Sequence, residues 1–265
     1  GSASTPGLAF ADDTNTGVYS PAADKIGFAT SGGERLVMGG SEAVFNDPGN
    51  NVDFRVESNS NTHMLFVDAG NDRVGINTTA PSAPLHINAG STNDALFVNS
   101  SDANVSLGLA GSDGSVRLFQ ISAGLAFRTG GSANAFASSG DSEKMRLDSA
   151  GRLLIGTSTS QNVGFAHNVQ IEGTDGGSAG LSLIRNSNDT SGPHIDFAKT
   201  RGTTTASNTV VQSGDDLGNL VFRGADGTDK ATIAVQIQAE VDATPGSNNM
   251  PGRLVIKTRG SGGGS

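Results

Sequence analysis

One phrase occurs twice in this chain, and the repetition restricts its fold more than any other feature. Met64 to Ile87, MLFVDAGNDRVGINTTAPSAPLHI, reads as a strand from Met64 to Val67, the turn-forming run Asp68-Ala69-Gly70-Asn71-Asp72 and a second strand from Arg73 to Ile76. A Pro-bounded loop then leads to a third strand, Leu85 to Ile87. Glu143 to Ser160, EKMRLDSAGRLLIGTSTS, says it again: Leu147-Asp148 matches Val67-Asp68, Ala150-Gly151 matches Ala69-Gly70, and Arg152 to Thr157 matches Arg73 to Thr78. A lone hairpin is marginal in water, so a chain that repeats one must stack the copies. That points to a fibrous or solenoid architecture.

Further phrases extend the pattern. Short strands are expected at Gly7 to Phe10, Gly17 to Tyr19, Lys25 to Thr30 and Arg35 to Met38. GLAF at Gly7 returns at Gly124, and Glu34-Arg35-Leu36 returns as Glu143-Lys144-Met145. DFRVESNSNTHMLFV from Asp53, PLHINAGSTNDALFV from Pro84 and NVQIEGTDGGSAGLSLI from Asn168 each read as strand, polar turn and return strand. From His194 the expected strands lengthen: HIDFAK, NTVVQ, GNLVFRG, KATIAVQIQAEV and, from Gly252, GRLVIKT. In Thr232 to Val241 the alternation puts Ile233, Val235, Ile237, Ala239 and Val241 on one face of a half-buried antiparallel strand. No window holds a helical period, so helix is expected to be minor.

Composition agrees with an all-β chain. Glycine supplies 38 of 265 residues, about twice the usual ~7 %, without the period of collagen, and so provides turns between short strands. Hydrophobic residues make up only 35 %, which is little apolar area to set against a chain entropy of roughly 1–2 kcal/mol per residue. The expectation is a homo-oligomer whose shared axis supplies the core. The segments expected are an N-terminal β-repeat region over 1–62, stacked hairpins over 63–167, a more compact sandwich or jelly-roll-like β-domain over 168–260, and a flexible Gly/Ser end over 261–265.

The residues offer chemistry few footholds. A formal charge of −9, from 17 basic and 26 acidic residues, repels nucleic acid, and no Lys/Arg cluster interleaved with aromatics offsets it. No apolar run is long enough to span a bilayer, and GSASTPG is no signal peptide. Without cysteine there is no disulfide, thiolate site or Cys nucleophile. Asp12 to Gly17 fails as a calcium loop, since Thr14, Thr16 and Ala23 fall where oxygen ligands and the closing Glu belong; it reads as a turn. Asp68 to Asp72 and Ala225 to Asp229 each bring two carboxylates but are turn formers first. His63, His86, His167 and His194 lack metal-site spacing, and His194 with Asp196 on one strand face has no Gly-x-Ser-x-Gly elbow to complete a triad. Glu240 and Asp242, two apart on a strand, are the best pair for a glycosidase. With no Trp and one Tyr, aromatic platforms for a sugar are scarce. No catalytic, cofactor or metal residue is expected.

VDAGNDRVGINTTAPSAPLHI, ERLVM, EKMRLDSAGRLLIGTSTS and the run from NSNDTSGPHIDFAK to GRLVIKT resemble repeats of tail fibre and tailspike-like proteins of tailed bacteriophages, notably marine ones. The likeness covers most of the chain, and the final run is its specific part. In such proteins these segments often precede a C-terminal intramolecular chaperone that is cleaved off after trimerisation; nothing here matches that chaperone. The resemblance implies an elongated parallel homotrimer on the virion tail, joined to other tail proteins and touching a host surface glycan or protein; from the residues, no enzyme activity is expected. The alternatives are a bacterial surface adhesin or appendage built of the same repeats, and a carbohydrate-active tailspike with a groove at Glu240 and Asp242.

Overall fold

The computed structural model describes residues 1–46, 49–91, 94–101, 104–132 and 140–260. Those residues are all-β, with no helix, and none long and apolar enough to cross a membrane. The chain divides into two compact units, Gly1–Val98 and Asn99–Ser265, each carrying two sheets.

The first unit opens with an antiparallel five-stranded meander of β1 (Leu8–Phe10), β2 (Asp13–Tyr19), β3 (Ile26–Thr30), β4 (Gly33–Met38) and β5 (Ala43–Phe45). Its second sheet holds β6 (Phe54–Val56), β7 (Leu65–Asp68), β8 (Arg73–Ile76) and β9 (Leu85–Ile87), with β9 lying parallel to β8. In the second unit a six-stranded sheet runs β10 (Ser106–Gly111), β11 (Gly114–Ile121), β12 (Gly124–Gly131), β13 (Ser142–Leu147), β14 (Leu153–Ile155) and β15 (Val169–Ile171), and β15 is again parallel to its neighbour. A three-stranded antiparallel sheet follows: β16 (Asp216–Arg223), β17 (Ile233–Val241) and β18 (Gly252–Thr258). Pairing is continuous through residues 62 and 167, because β6 pairs β7 and β14 pairs β15.

The twice-spoken phrase is one structural unit, and the structure adds a third copy. In β7–β8 Leu65 faces Ile76 and Val67 faces Val74; in β13–β14 Met145 faces Ile155 and Leu147 faces Leu153; in β4–β5 Leu36 faces Phe45. Each second strand ends on a residue with positive φ, Asn77 (57°), Gly156 (75°) and Asn46 (62°). Its amide donates back to the opposite strand: Asn77 to the His63 carbonyl at 3.0 Å, Gly156 to Lys144 at 3.0 Å and Asn46 to Arg35 at 2.9 Å. Only Gly and Asn adopt that conformation readily, hence the recurring G-I-N, L-I-G and V-F-N endings. The returning parallel strand is anchored alike in both units that have one. His86 Nδ1 accepts from the Ser82 amide (3.3 Å), and Gln170 Oε1 accepts from the Gln161 amide (2.8 Å). Strands β3–β4 and β12–β13 also share a bulge, after Phe28 facing Leu36 and after Phe127 facing Met145. Phe28 and Phe127 are thus the equivalent positions, so GLAF at Gly124 corresponds to the strand around Phe28 and not to GLAF at Gly7.

Several expected strands are absent. Asp13 to Gly17 is not a turn but part of β2, held by β1 through Gly17 facing Ala9. HIDFAK (194–199) and NTVVQ (208–212) are not strands, nor are the return strands ALFV (95–98) and LSLI (181–184). They alternate suitably, but no strand among the described residues pairs with them; β9 and β15 pair with β8 and β14 instead. The described part of 168–260 therefore contributes β15 and one three-stranded sheet.

Cross-strand registers sort each sheet into two unlike faces, because residues opposite one another share a face. In the five-stranded sheet Leu8, Val18, Phe28, Leu36 and Phe45 form one row. Phe54–Val67–Val74–Leu85 and Val56–Leu65–Ile76–Ile87 cross the four-stranded sheet. Leu107–Leu118–Phe127–Met145–Ile155–Ile171 crosses all six strands of the third, and Leu220–Ile237–Ile256 crosses the last. These apolar rows are the open side: Leu8 is 71 % exposed, Leu85 58 %, Leu107 48 % and Ile256 65 %. In the first three sheets the buried residues lie mainly on the reverse side, among them Tyr19, Val37, Phe66, Arg117, Ala126 and Leu154.

Candidate functional site

The reverse faces carry the polar constellations. On the six-stranded sheet Arg117 and Arg128 stand opposite each other on β11 and β12, on the face away from the leucines. Asp141, only 2 % exposed at its side chain, receives the Arg117 Nε and Nη2 at 2.5 Å and the Arg128 Nε at 3.1 Å. Both guanidiniums also lie over the Phe119 ring, 5.2 and 5.5 Å from its centre. Burial opposes ionisation of Asp141, but the hydrogen bonds and charges of the two arginines outweigh it and hold the carboxyl below the usual range. Asp141 is 24 residues from Arg117 and 13 from Arg128, so only the sheet register brings the three together.

On the C-terminal sheet Gln236 donates to Asn219 Oδ1 (2.5 Å), Lys257 donates to Gln238 Oε1, and buried Gln238 donates to Asp216. Arg253 forks onto Glu240 Oε2 (2.6 and 2.9 Å) and Asp242 Oδ1 (3.0 Å), and both carboxylates draw its own pKa upward. Glu240 and Asp242 are thus brought together, each bonded to the same arginine.

The other residues singled out sit in local structure. Asp226 accepts the amides of Thr228 and Asp229 and the Thr232 hydroxyl, which together lower its pKa and close the Ala225 to Asp229 turn. Asp68 accepts the Asn71 amide and side chain. His63 contacts Thr62 Oγ1 through Nδ1 and meets Phe66 edge-on, His167 meets Phe165, and His194 lies with Asp196 in a segment that is not a strand. Asn61, Thr62, His63, Asn77, Thr78, Thr79 and Asn88 line a polar recess of about 240 Å³, yet Asn61 donates to Asn77 Oδ1 and Asn77 donates to the Asn88 carbonyl. Their amides mainly brace the crossover. No group of three or more His, Cys, Asp or Glu among the described residues is arranged to hold a metal ion.

No protein-family model matches this chain, and no curated protein matches it.

Proposed function

We propose that this chain is a structural segment of a homotrimeric fibre of the phage tail-fibre type, which holds a host-recognition surface away from the virion. The observation that carries it is surface area. The chain exposes 18279 Å², whereas two self-contained globules of the sizes of its two units would expose about 12,900 Å² together. The surplus, about 5,000 Å², is on the scale that obligate assemblies bury. Among the described residues Leu154 and Val241 are the largest side chains fully buried, a small core for so long a chain. The repeated hairpins and the resemblance of their phrases to tail-fibre repeats supply the rest: three copies share the apolar core, and ion pairs and Asn/Gly turns face water. The work is mechanical, with other tail proteins at one end and a host glycan or protein at the other.

Light scattering of the purified chain tests the assembly. The expected mass is three times the 26.7 kDa subunit, with a band that resists SDS until heated. A monomer would overturn the proposal. Attachment is tested by adding the trimer to candidate host cells and measuring whether phage adsorption falls; a trimer that binds no cell and blocks no adsorption would confine the chain to a shaft role.

A further inference from the structure

We infer that the apolar face of the six-stranded sheet is the surface on which copies of this chain meet one another, each presenting the same face. The inference rests on the fibre proposal and specifies its interface. Three rows cover that face: Leu107–Leu118–Phe127–Met145–Ile155–Ile171, Leu109–Val116–Thr129–Ser142 and Gln120–Leu125–Leu147–Leu153–Val169. None contains a charged residue. The reverse face holds Arg117, Arg128 and Arg146, each paired with Asp141 or Glu143. A single chain therefore shelters its arginines and leaves its leucines in water, the opposite of what a self-sufficient sheet does.

The occupant is a second copy for three reasons. The face stays open, with Leu109 66 %, Val169 60 % and Leu118 41 % exposed. The three rows set 15 side chains across six strands, approaching the roughly 20 residues a side of a standard stable interface. Finally, subunits of net charge −9 repel one another, and a face without charges lets them approach while keeping their carboxylates apart. A self-matching face, apolar against apolar, satisfies all three.

The absence of cysteine from the chain makes the test direct. Leu118→Cys places a thiol in the middle of the apolar face, and Ala110→Cys places one on the reverse face, since Ala110 pairs with Ser115. In the full-length chain the Leu118→Cys thiol is expected to react with a maleimide on the order of 100-fold more slowly than the Ala110→Cys thiol, as protection by a closed interface requires. On oxidation it should yield a covalent dimer. Leu118→Glu should shift the light-scattering mass toward one subunit. An assembled chain in which both thiols react alike and neither cross-links would overturn this inference while leaving the fibre proposal standing. A chain that is monomeric throughout would overturn both. Should Leu118→Glu fail to fold, the two cysteine variants still decide the matter.

Discussion

Asp141→Asn removes one charge from the best-buried ionic cluster among the described residues while nearly preserving shape. The new amide cannot accept at both oxygens, and its NH₂ would face the N–H groups of Arg117 or Arg128. Arg117 is 8 % exposed and loses its counter-ion; Arg128, at 26 %, can turn toward water. Breaking a buried pair by removing one partner costs ~3–5 kcal/mol, and the partial escape of Arg128 places this case near ~3 kcal/mol. For a unit of this size that corresponds to a fall in Tm of about 6–12 °C. Calorimetry or denaturant titration of wild type and variant, at one protein concentration so that assembly contributes equally, measures it. The pH dependence is a second readout. The folded carboxyl titrates below its unfolded value of about 4, so its stabilisation is complete above that value and is lost as pH falls through the lowered folded one. The gap between wild type and Asp141→Asn should therefore be full at pH 7 and shrink steadily below about pH 4. A variant within ~0.5 kcal/mol of wild type at pH 7, or a gap that does not change on acidification, would refute the view of Asp141 as the charge that locks β11 to β12.

Three other perturbations follow from the geometry. In Gly27→Ala the new Cβ would lie 2.6 Å from Tyr19 Cε1, lifting the ring off β3 and parting its hydroxyl from Glu34, at a cost of ~1–3 kcal/mol. Tyr19 is the only tyrosine in a chain without tryptophan, so its fluorescence reports the displacement; unchanged emission and stability would count against the contact. Gly156→Ala puts a side chain at φ 75° and against the Glu172 carbonyl oxygen, so it should prevent β15 from docking, whereas Asn77→Gly keeps the left-handed backbone but gives up the side-chain bonds to Asn61 and the Asn88 carbonyl and should cost ~1–2 kcal/mol in thermal melts. Arg253→Ala removes an exposed fork, Arg253 being 52 % accessible, and should leave the thermal melt nearly unchanged, the more so in 1 M salt; a clear fall in Tm would show that its face is covered in the assembly.

The sequence by itself determined the all-β class, the hairpin centred on Asp68 to Asp72 and its second copy at Leu147 to Arg152, and the two-face alternation of β17. Each depends on local chemistry: turn formers at fixed offsets and a side-chain period of two, both written in consecutive residues. Tertiary structure decided whatever depends on pairing. HIDFAK and NTVVQ alternate as well as GRLVIKT does, yet only GRLVIKT finds a partner, because a strand exists by its neighbour's hydrogen bonds as well as by its own pattern. The parallel return of β9 and β15 was hidden for the same reason, and so was the equivalence of β4–β5 to the two copied hairpins, whose shared mark is a single left-handed residue. The cluster of Arg117, Arg128, Asp141 and Phe119 spans 24 residues of chain and becomes visible only once register sets Arg117 against Arg128. Register likewise decided that the apolar rows of six strands fall on one face and the arginines on the other, since sliding one strand by a single residue would exchange them.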